Sequence, residues 1–169
     1  MGAQRIPLKP YRRHLYFSRP LPKSPARWPF VWDLSSGFYF RPEGRSLLLS
    51  PCDKAPAGRR ALALHQEPIL PAAEQAMRRK LESFSPGTAR LSLKNPKSGL
   101  RTMTPDGRFV IGEDARLGGF YWVAGLGGHG VTTCFSVGRL ASDIIVGRKT
   151  RPGLAQAFSP KRFLKSKAR

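Results

Sequence analysis

A glycine-rich turn in the second half of the chain carries the residues best suited to bind a ligand: Gly125, Gly127, Gly128, His129 and Gly130. An apolar stretch typical of a strand precedes them, and the spacing of an apolar helix follows them. Such a turn leaves the first backbone N–H groups of the helix unpaired at the positive end of its dipole. Because glycine has no Cβ, a ligand can approach the backbone closely. The turn is therefore suited to an anion or an electron-rich ring edge, although close strand–helix packing would explain the same glycines.

Arg101 is the second candidate for ligand chemistry. Its guanidinium offers two parallel donors, which match the two oxygens of a carboxylate. The alternative is an arginine at a solvated strand end, since the chain contains 30 lysines and arginines. Asp106 follows within Thr-Pro-Asp-Gly, and we assign it to the turn because Pro-Asp-Gly is typical of β-turns.

Short strands and two longer helices are predicted to position these groups. The first helix, at 68–84, has one apolar stripe, and Ser85-Pro86-Gly87 ends it. The second helix, at 131–146, has the stripe Val131, Phe135, Gly138, Ala141 and Ile145, with Gly147 as its C-cap. Strands are predicted at 14–18, 30–33, 38–41, 47–49, 88–94, 109–112 and 120–124, with a turn at 42–44. The pattern predicts an α+β fold with a mixed or antiparallel sheet and two main helices.

Composition is that of one globular core. The chain has 169 residues, 40% of them hydrophobic, and 16 prolines with 17 glycines favour short elements and many turns. Cys52 and Cys134 form no CxxC pair and, with three scattered histidines, give no metal-ligand spacing. Cys134 is expected to be a buried thiol within the second helix. No apolar stretch is long enough for a membrane span and no secretory signal is found, so we expect the cytoplasm.

The net charge of +20 supports a rival function, a basic protein that binds nucleic acid or another polyanion without catalysis. The basic residues match no zinc-finger, helix-turn-helix or RNP pattern. Phe17, Phe38 and Phe40 could stack on bases. They lie on strand-like segments, however, where core packing is the commoner use of an aromatic side chain, so we consider nucleic acid the less favoured partner.

Two motifs together resemble a known family. The string GLRTMTPDGRFVIG (99–112), followed by GLGGHG (125–130), resembles the C-terminal end of FAD-dependent oxidoreductases related to D-amino-acid oxidase, glycine oxidase and sarcosine oxidase. LKPYRRHLYFS (8–18), GFYFRPEG (37–44) and AFSPKRF (157–163) match in the same order. The resemblance therefore covers nearly the whole chain.

The resemblance implies a domain organisation. Residues 1–100 would be a portion of the substrate domain, 101–147 the C-terminal part of the FAD-binding domain, and 148–169 a basic, partly ordered tail. The only GxGxxG spacing in the sequence is that of GLGGHG (125–130) itself, and the separate N-terminal unit of this kind, which holds the ADP half of FAD in this family, is not matched. We therefore expect a C-terminal fragment or one half of a split enzyme, whose partner is a separate N-terminal half carrying GxGxxG.

The resemblance also implies roles for individual residues. Arg101 would bind the carboxylate of a small amino or hydroxy acid, and Tyr39 with Arg41 would orient it from a strand over the flavin. A solvated sheet face would explain Tyr39 and Arg41 equally well, and His129 could simply begin its helix. The residues implied in binding the cofactor are Gly125, Gly127, Gly128, His129, Gly130 and Val131.

No catalytic side chain and no metal are expected, because in enzymes of this type the flavin itself accepts the hydride. The segment around Thr104-Pro105-Asp106 lacks the cysteine that some sarcosine oxidases use to bond flavin. Bound FAD should therefore be non-covalent. In the isolated chain, binding of FAD should be weak or absent, and we expect that chain to be inactive.

Overall fold

The computed structural model describes residues 2–23, 25–57 and 69–164. The chain folds into two compact units, whose boundaries lie between Pro10 and Tyr11 and between Leu100 and Arg101. One unit comprises residues 11–100, and the other combines residues 1–10 with 101–169. Each unit is described by itself below.

The unit of residues 11–100 is built around an antiparallel sheet. Its strands are β1 (Lys9–Ser18), β2 (Val31–Asp33), β3 (Phe38–Glu43), β4 (Ser46–Ser50) and β5 (Ala55–Pro56), in the order β2-β3-β4-β1-β5. A longer strand, β6 (Leu93–Met103), pairs with β1. In the register of β3, β4 and β1, Phe40 lies opposite Leu49, and Leu49 lies opposite Tyr16. Because side chains alternate across a strand, these three residues share one face of the sheet.

One helix covers that face. In α1 (Pro71–Phe84), Ala73, Met77 and Leu81 are buried, and Met77 and Leu81 form one cluster with the aromatic and leucine side chains of the sheet. Proline at the first helical position fits its fixed φ. The predicted helix began at Pro68, which lies outside the described residues. Phe38 and Phe40 lie in this core, so the interpretation of both as core residues is confirmed.

The predicted strand at 88–94 is wrong over its first half. Thr88 and Ala89 belong to a short helix, α2 (Pro86–Ala89), and β6 begins only at Leu93. The Ser85 hydroxyl accepts the N–H of Thr88, and proline follows at the first helical position. This cap stabilises one helical turn locally, and the alternation of apolar residues could not reveal it.

A buried histidine joins three segments of the same unit. The His14 side chain has no exposed surface, and its Nδ1 lies 2.6 Å from Oδ2 of Asp53. Its Nε2 accepts the backbone N–H of Leu70, just before α1. The carboxylate therefore selects the tautomer that leaves Nε2 free to accept, and the pair fixes the start of α1 on β1.

The second unit is built on a hairpin of β7 (Val110–Glu113) and β8 (Tyr121–Ala124). The long helix α3 (Gly130–Ile145) packs on Ile111 through Val137 and Leu140. A short helix, α4 (Leu154–Phe158), and a single 3₁₀ turn (Pro160–Phe163) complete it. Phe158 stacks on Phe109, with their ring centroids 5.7 Å apart. The two main helices and the antiparallel pairing confirm the predicted α+β class.

The apolar stripe predicted on α3 does not face the core of its unit. Val131 and Phe135 are 89% and 81% exposed, and Ile145 is 52% exposed. The buried side chains, Val137 and Leu140, lie on a second apolar face. The helix is apolar on two sides, and the predicted stripe is the side that its own unit leaves largely exposed, apart from Ala141, which packs on the buried cluster. Cys134 lies on the exposed side, so its prediction as a buried thiol is wrong.

Two further properties concern the part of the chain that the structure describes. None of its helices combines the length and apolar character needed to cross a bilayer. None of its clusters of histidine, cysteine and acidic side chains is arranged to hold a metal ion.

Candidate functional site

The glycine-rich segment forms a tight turn between β8 and α3. The backbone N–H of His129 donates to the carbonyl of Leu126 at 2.8 Å, which closes the turn. Its two central residues, Gly127 and Gly128, have φ of +57° and +92°. Both values match a type I′ turn, which residues with a Cβ rarely adopt. Gly125, just before the turn, also has a positive φ, of +70°.

Arg101 lies directly against this turn. A Cβ added to Gly128 would come within 2.6 Å of both Cζ and Nε of Arg101. At Gly125 an added Cβ would lie 3.1 Å from Cγ2 of Thr104. The end of β6 and the turn are also joined by the N–H of Gly127, which donates to the carbonyl of Thr102 at 3.1 Å. The fold therefore brings together the predicted carboxylate-binding arginine and the predicted anion-binding turn.

The donors of Arg101 are available. The residue is partly buried, and no hydrogen bond or ion pair to it is found in residues 2–23, 25–57 and 69–164. A guanidinium held in place by packing but without a carboxylate partner is suited to bind an external one.

The start of α3 supplies backbone donors beside this arginine. His129 is the N-cap residue, and its side chain makes no capping hydrogen bond. Its carbonyl accepts the N–H of Thr133, which is the first bond of the helix. The amides of Gly130, Val131 and Thr132 therefore precede the helical ladder, and no acceptor for them is found in the described part of the chain. Since Val131 is 89% exposed, this helix start is open to a ligand.

Tyr39 and Arg41 lie in the other unit, on the face of β3 opposite its core. Tyr39 is paired with Trp32 of β2, and its ring centroid lies 5.3 Å from that of Phe30. Arg41 makes an ion pair with Glu43 at 2.6 Å, in which both side chains are 45% exposed. Exposed pairs of this kind contribute little, so Arg41 can exchange its partner at small cost.

An ion pair that the sequence analysis missed stabilises the turn after Arg101. Nε of Arg162 lies 2.8 Å from Oδ2 of Asp106, and its Nη2 donates to the carbonyl of Arg108 at 3.1 Å. The Arg162 guanidinium holds the pKa of Asp106 well below its usual range. Asp106 also accepts the N–H of Arg108, so its assignment to the turn is only part of its role. The two partners are far apart in sequence, and no local pattern joins them.

We expect Arg162→Ala to destabilise this unit by about 1–3 kcal/mol, because it removes charge-assisted hydrogen bonds to Asp106 and the guanidinium donors to the carbonyls of Arg108 and Phe158. Arg162→Lys should recover part of the loss, since an ammonium can satisfy only some of these acceptors. Urea-induced unfolding of both variants measures the effect. Equal stability of wild type and Arg162→Ala would show that the pair is only a surface contact.

Asp114 is the centre of a separate network of hydrogen bonds, and its side chain is buried. Its carboxylate accepts the backbone N–H of Gln4 at 3.1 and 3.0 Å and the indole N–H of Trp122 at 2.7 Å. It also accepts the amides of Arg116 and Leu117. Burial would raise the pKa of Asp114, but the hydrogen bond from Trp122 and those from the amides outweigh it and lower the pKa from 3.8 to about 2.

This shift predicts how stability depends on pH. The contribution of Asp114 is fully present above its unfolded pKa of 3.8 and is lost as the pH falls through the folded value of about 2. Asp114→Asn should therefore destabilise the chain at neutral pH, and the difference from wild type should shrink across that acidic window. Urea unfolding at a series of pH values measures it. A constant difference would contradict an ionised Asp114 in the folded state.

Comparisons with known proteins place this geometry in a family. The family model described as FAD dependent oxidoreductase matches residues 1–144. Among solved structures, L-proline dehydrogenase from P. horikoshii has a TM-score of 0.78 at 19% identity, covering 95% of this chain and 41% of its own. Glycine oxidase from Geobacillus kaustophilus has a TM-score of 0.75 at 19% identity, covering 95% and 40%.

Iminodiacetate oxidase from Chelativorans sp. BNC1 has a TM-score of 0.73 at 17% identity, covering 94% of this chain and 41% of its own. The chain thus spans about two fifths of the length of these solved structures. Identity at this level shows a shared fold. The family model extends over most of the sequence and includes Arg101 and the glycine turn. The chain therefore belongs to the family of FAD-dependent oxidoreductases, as its motifs predicted.

Proposed function

We propose that this chain supplies the flavin-facing turn and the substrate-binding arginine of an enzyme that oxidises a small amino or hydroxy acid. The observation that carries the proposal is the contact between Arg101 and Gly128, where no Cβ could fit. The start of α3, which we propose binds an anion, therefore lies beside the guanidinium of Arg101, for which no partner is found among the described residues.

The turn fits a flavin. Gly127 and Gly128 have positive φ and no side chain, and no acceptor for the amides of Gly130 and Val131 is found in the described residues. FAD, when bound, would accept the hydride removed from the substrate. The role of this chain is to direct backbone N–H groups and the positive end of the α3 dipole at the electron-rich edge of the ring, where they stabilise developing negative charge.

Arg101 would bind and orient the substrate. A bidentate contact to the carboxylate fixes the acid in one orientation, so the adjacent C–H bond is presented in a constant direction. Tyr39 and Arg41 are proposed as additional substrate contacts, and Arg41 would then leave Glu43 for the substrate. Substitution of each is the test of those two residues.

The nucleotide-binding half is proposed to lie outside residues 1–169, because the only GxGxxG spacing in the sequence is the turn at 125–130, and no β-strand follows α3 in the described residues to complete a βαβ unit. The exposed apolar face of α3 supports a covering partner of this kind: Val131, Ile145 and Val146 are 89%, 52% and 58% exposed. Apolar surface of this extent marks an interaction site more often than a free surface. Without that half, binding of FAD would be weak or absent, and the isolated chain would be inactive. With it, FAD would be held non-covalently, and we place the enzyme in the cytoplasm.

The rival proposal, a basic protein that binds nucleic acid, has lost part of its structural support, since two of its three stacking candidates lie in the core. Phe17, the third, is partly buried, and Nζ of Lys97 lies 5.5 Å from its ring centroid. Phe38 and Phe40, two of its proposed stacking residues, are 0% and 7% exposed and belong to the core. The charge of +20 remains, but charge alone specifies no site.

Reconstitution tests the proposed function. The chain is joined to a GxGxxG-bearing N-terminal half of the same family, and small amino and hydroxy acids are added to the flavoprotein without oxygen. We expect at least one of them to bleach the flavin absorption, which reports transfer of a hydride. A protein that binds FAD stoichiometrically but is bleached by none of these acids would overturn the proposed substrate class.

A further inference from the structure

A cleft beside α3 carries chemistry that the proposed function does not use. It lies between α3 and the segment Lys149–Leu154 and has a volume of about 300 Å³. It shares no residue with the glycine turn. Its lining residues are Phe135, Ser136, Arg139, Leu140, Asp143, Lys149, Thr150, Arg151 and Leu154.

One wall of the cleft is apolar. Leu140 is 7% exposed and forms its floor, whereas Phe135 and Leu154 are 81% and 36% exposed at its edge. No ring contact of Phe135 is found in residues 2–23, 25–57 and 69–164. A ligand that covers this wall gains roughly 25 cal/mol for each Å² of apolar surface removed from water.

The remaining wall is cationic. Three cations line the cleft and only one acid does so, namely Asp143. One oxygen of that carboxylate is paired, since Nε of Arg139 lies 3.2 Å from its Oδ2. The other oxygen, Oδ1, is buried, has no hydrogen bond within the described residues and lies 3.9 Å from Nη1 of Arg148. Lys149 and Arg151 have no ion pair within the part of the chain that the structure describes. The field in the cleft is therefore positive and favours an anion.

We propose that this cleft binds a small organic anion, in which a carboxylate or a phosphate is carried on an apolar body. An inorganic anion would leave Phe135 and Leu154 in water, and an uncharged apolar molecule would leave Lys149 and Arg151 without a partner. The volume lies at the small end of the range of about 300–1,000 Å³ for ligand pockets, so the body is the size of a phenyl ring or a short alkyl chain.

Calorimetric titration of the soluble full chain tests the site with four probes. Phenyl phosphate and octanoate carry the two possible anionic groups on an apolar body. Inorganic phosphate lacks the body, and 1-octanol lacks the charge. We expect saturable binding of phenyl phosphate or octanoate, with the tighter one identifying the anionic group. The two incomplete probes should bind at least about tenfold more weakly, because 1-octanol offers no charge to Lys149 and Arg151 and inorganic phosphate leaves the apolar wall in water.

Two variants with the same change of charge make the test specific. Arg151→Glu reverses a charge within the cleft, and Arg116→Glu reverses one on an exposed arginine of the same unit outside it. Arg151→Glu should weaken binding at least about tenfold, whereas Arg116→Glu should leave it nearly unchanged. Phe135→Ala should weaken both organic anions, and because this side chain is exposed, the variant should still fold.

Three results would overturn the proposal: no saturable binding of either organic anion, inorganic phosphate binding as tightly as phenyl phosphate, or equal losses in Arg151→Glu and Arg116→Glu. The last result would indicate general attraction to a basic chain. None of these measurements involves flavin, so the cleft and the proposed oxidoreductase function stand or fall independently.

Discussion

Arg101→Ala should lower kcat/KM of the reconstituted flavoprotein by about 30- to 4,000-fold for an amino acid substrate. Loss of one partner of a buried, hydrogen-bonded charge pair costs about 2–5 kcal/mol, and 1.36 kcal/mol corresponds to a tenfold change in rate. The FAD content should stay nearly unchanged, because the proposed partner of Arg101 is the substrate and not the cofactor. Steady-state kinetics and the flavin absorption of the purified variant measure both quantities.

Two further variants separate carboxylate binding from packing. Arg101→Lys should recover only part of the activity, since an ammonium cannot reproduce the planar pair of donors. Arg116→Ala removes an exposed arginine of the same unit and should leave kcat/KM unchanged. If Arg101→Ala has wild-type kinetics, Arg101 is a surface arginine and the proposed substrate site is wrong.

Gly128→Ala should weaken FAD binding of the reconstituted protein at least tenfold and destabilise it by about 1–3 kcal/mol. The new Cβ would lie 2.6 Å from Cζ of Arg101, and φ of +92° disfavours alanine. The arginine must therefore move, or the turn must change shape. Flavin titration and thermal unfolding measure the two effects.

A matched control is Gly44→Ala. Gly44 also has a positive φ, of +59°, but an added Cβ would have no neighbour within 4 Å. This variant should lose stability through strain alone and keep its affinity for FAD. In an Arg101→Ala background, Gly128→Ala should cost less than in wild type, because the clash is gone. Additive effects of the two substitutions would contradict the contact between Arg101 and Gly128.

Local patterns predicted the elements of the fold well. The alternation of Phe38 and Phe40 and the turn at Gly44 predicted a hairpin that the structure contains. The spacing of Ala73, Met77 and Leu81 predicted the buried face of α1. These features depend on residues close in sequence, where periodicity and turn chemistry dominate the energetics.

Features that depend on distant residues could not be predicted. The pairs Asp106–Arg162 and His14–Asp53 join segments whose proximity only the fold determines. The contact of Arg101 with Gly128 is of the same kind, although the family motif indicated that both residues matter. Which side of α3 its own unit buries could not be predicted either, because a helix that is apolar on two sides gives no signal for it.

The flavin content of the purified chain, alone and together with a matching GxGxxG half, tests the central claim most directly. We predict little or no FAD in the chain alone, because the nucleotide-binding half is proposed to be a separate one. We predict close to one FAD per complex when that half is supplied. A stoichiometric flavin spectrum of the lone chain, or a well-folded complex without flavin, would contradict the account.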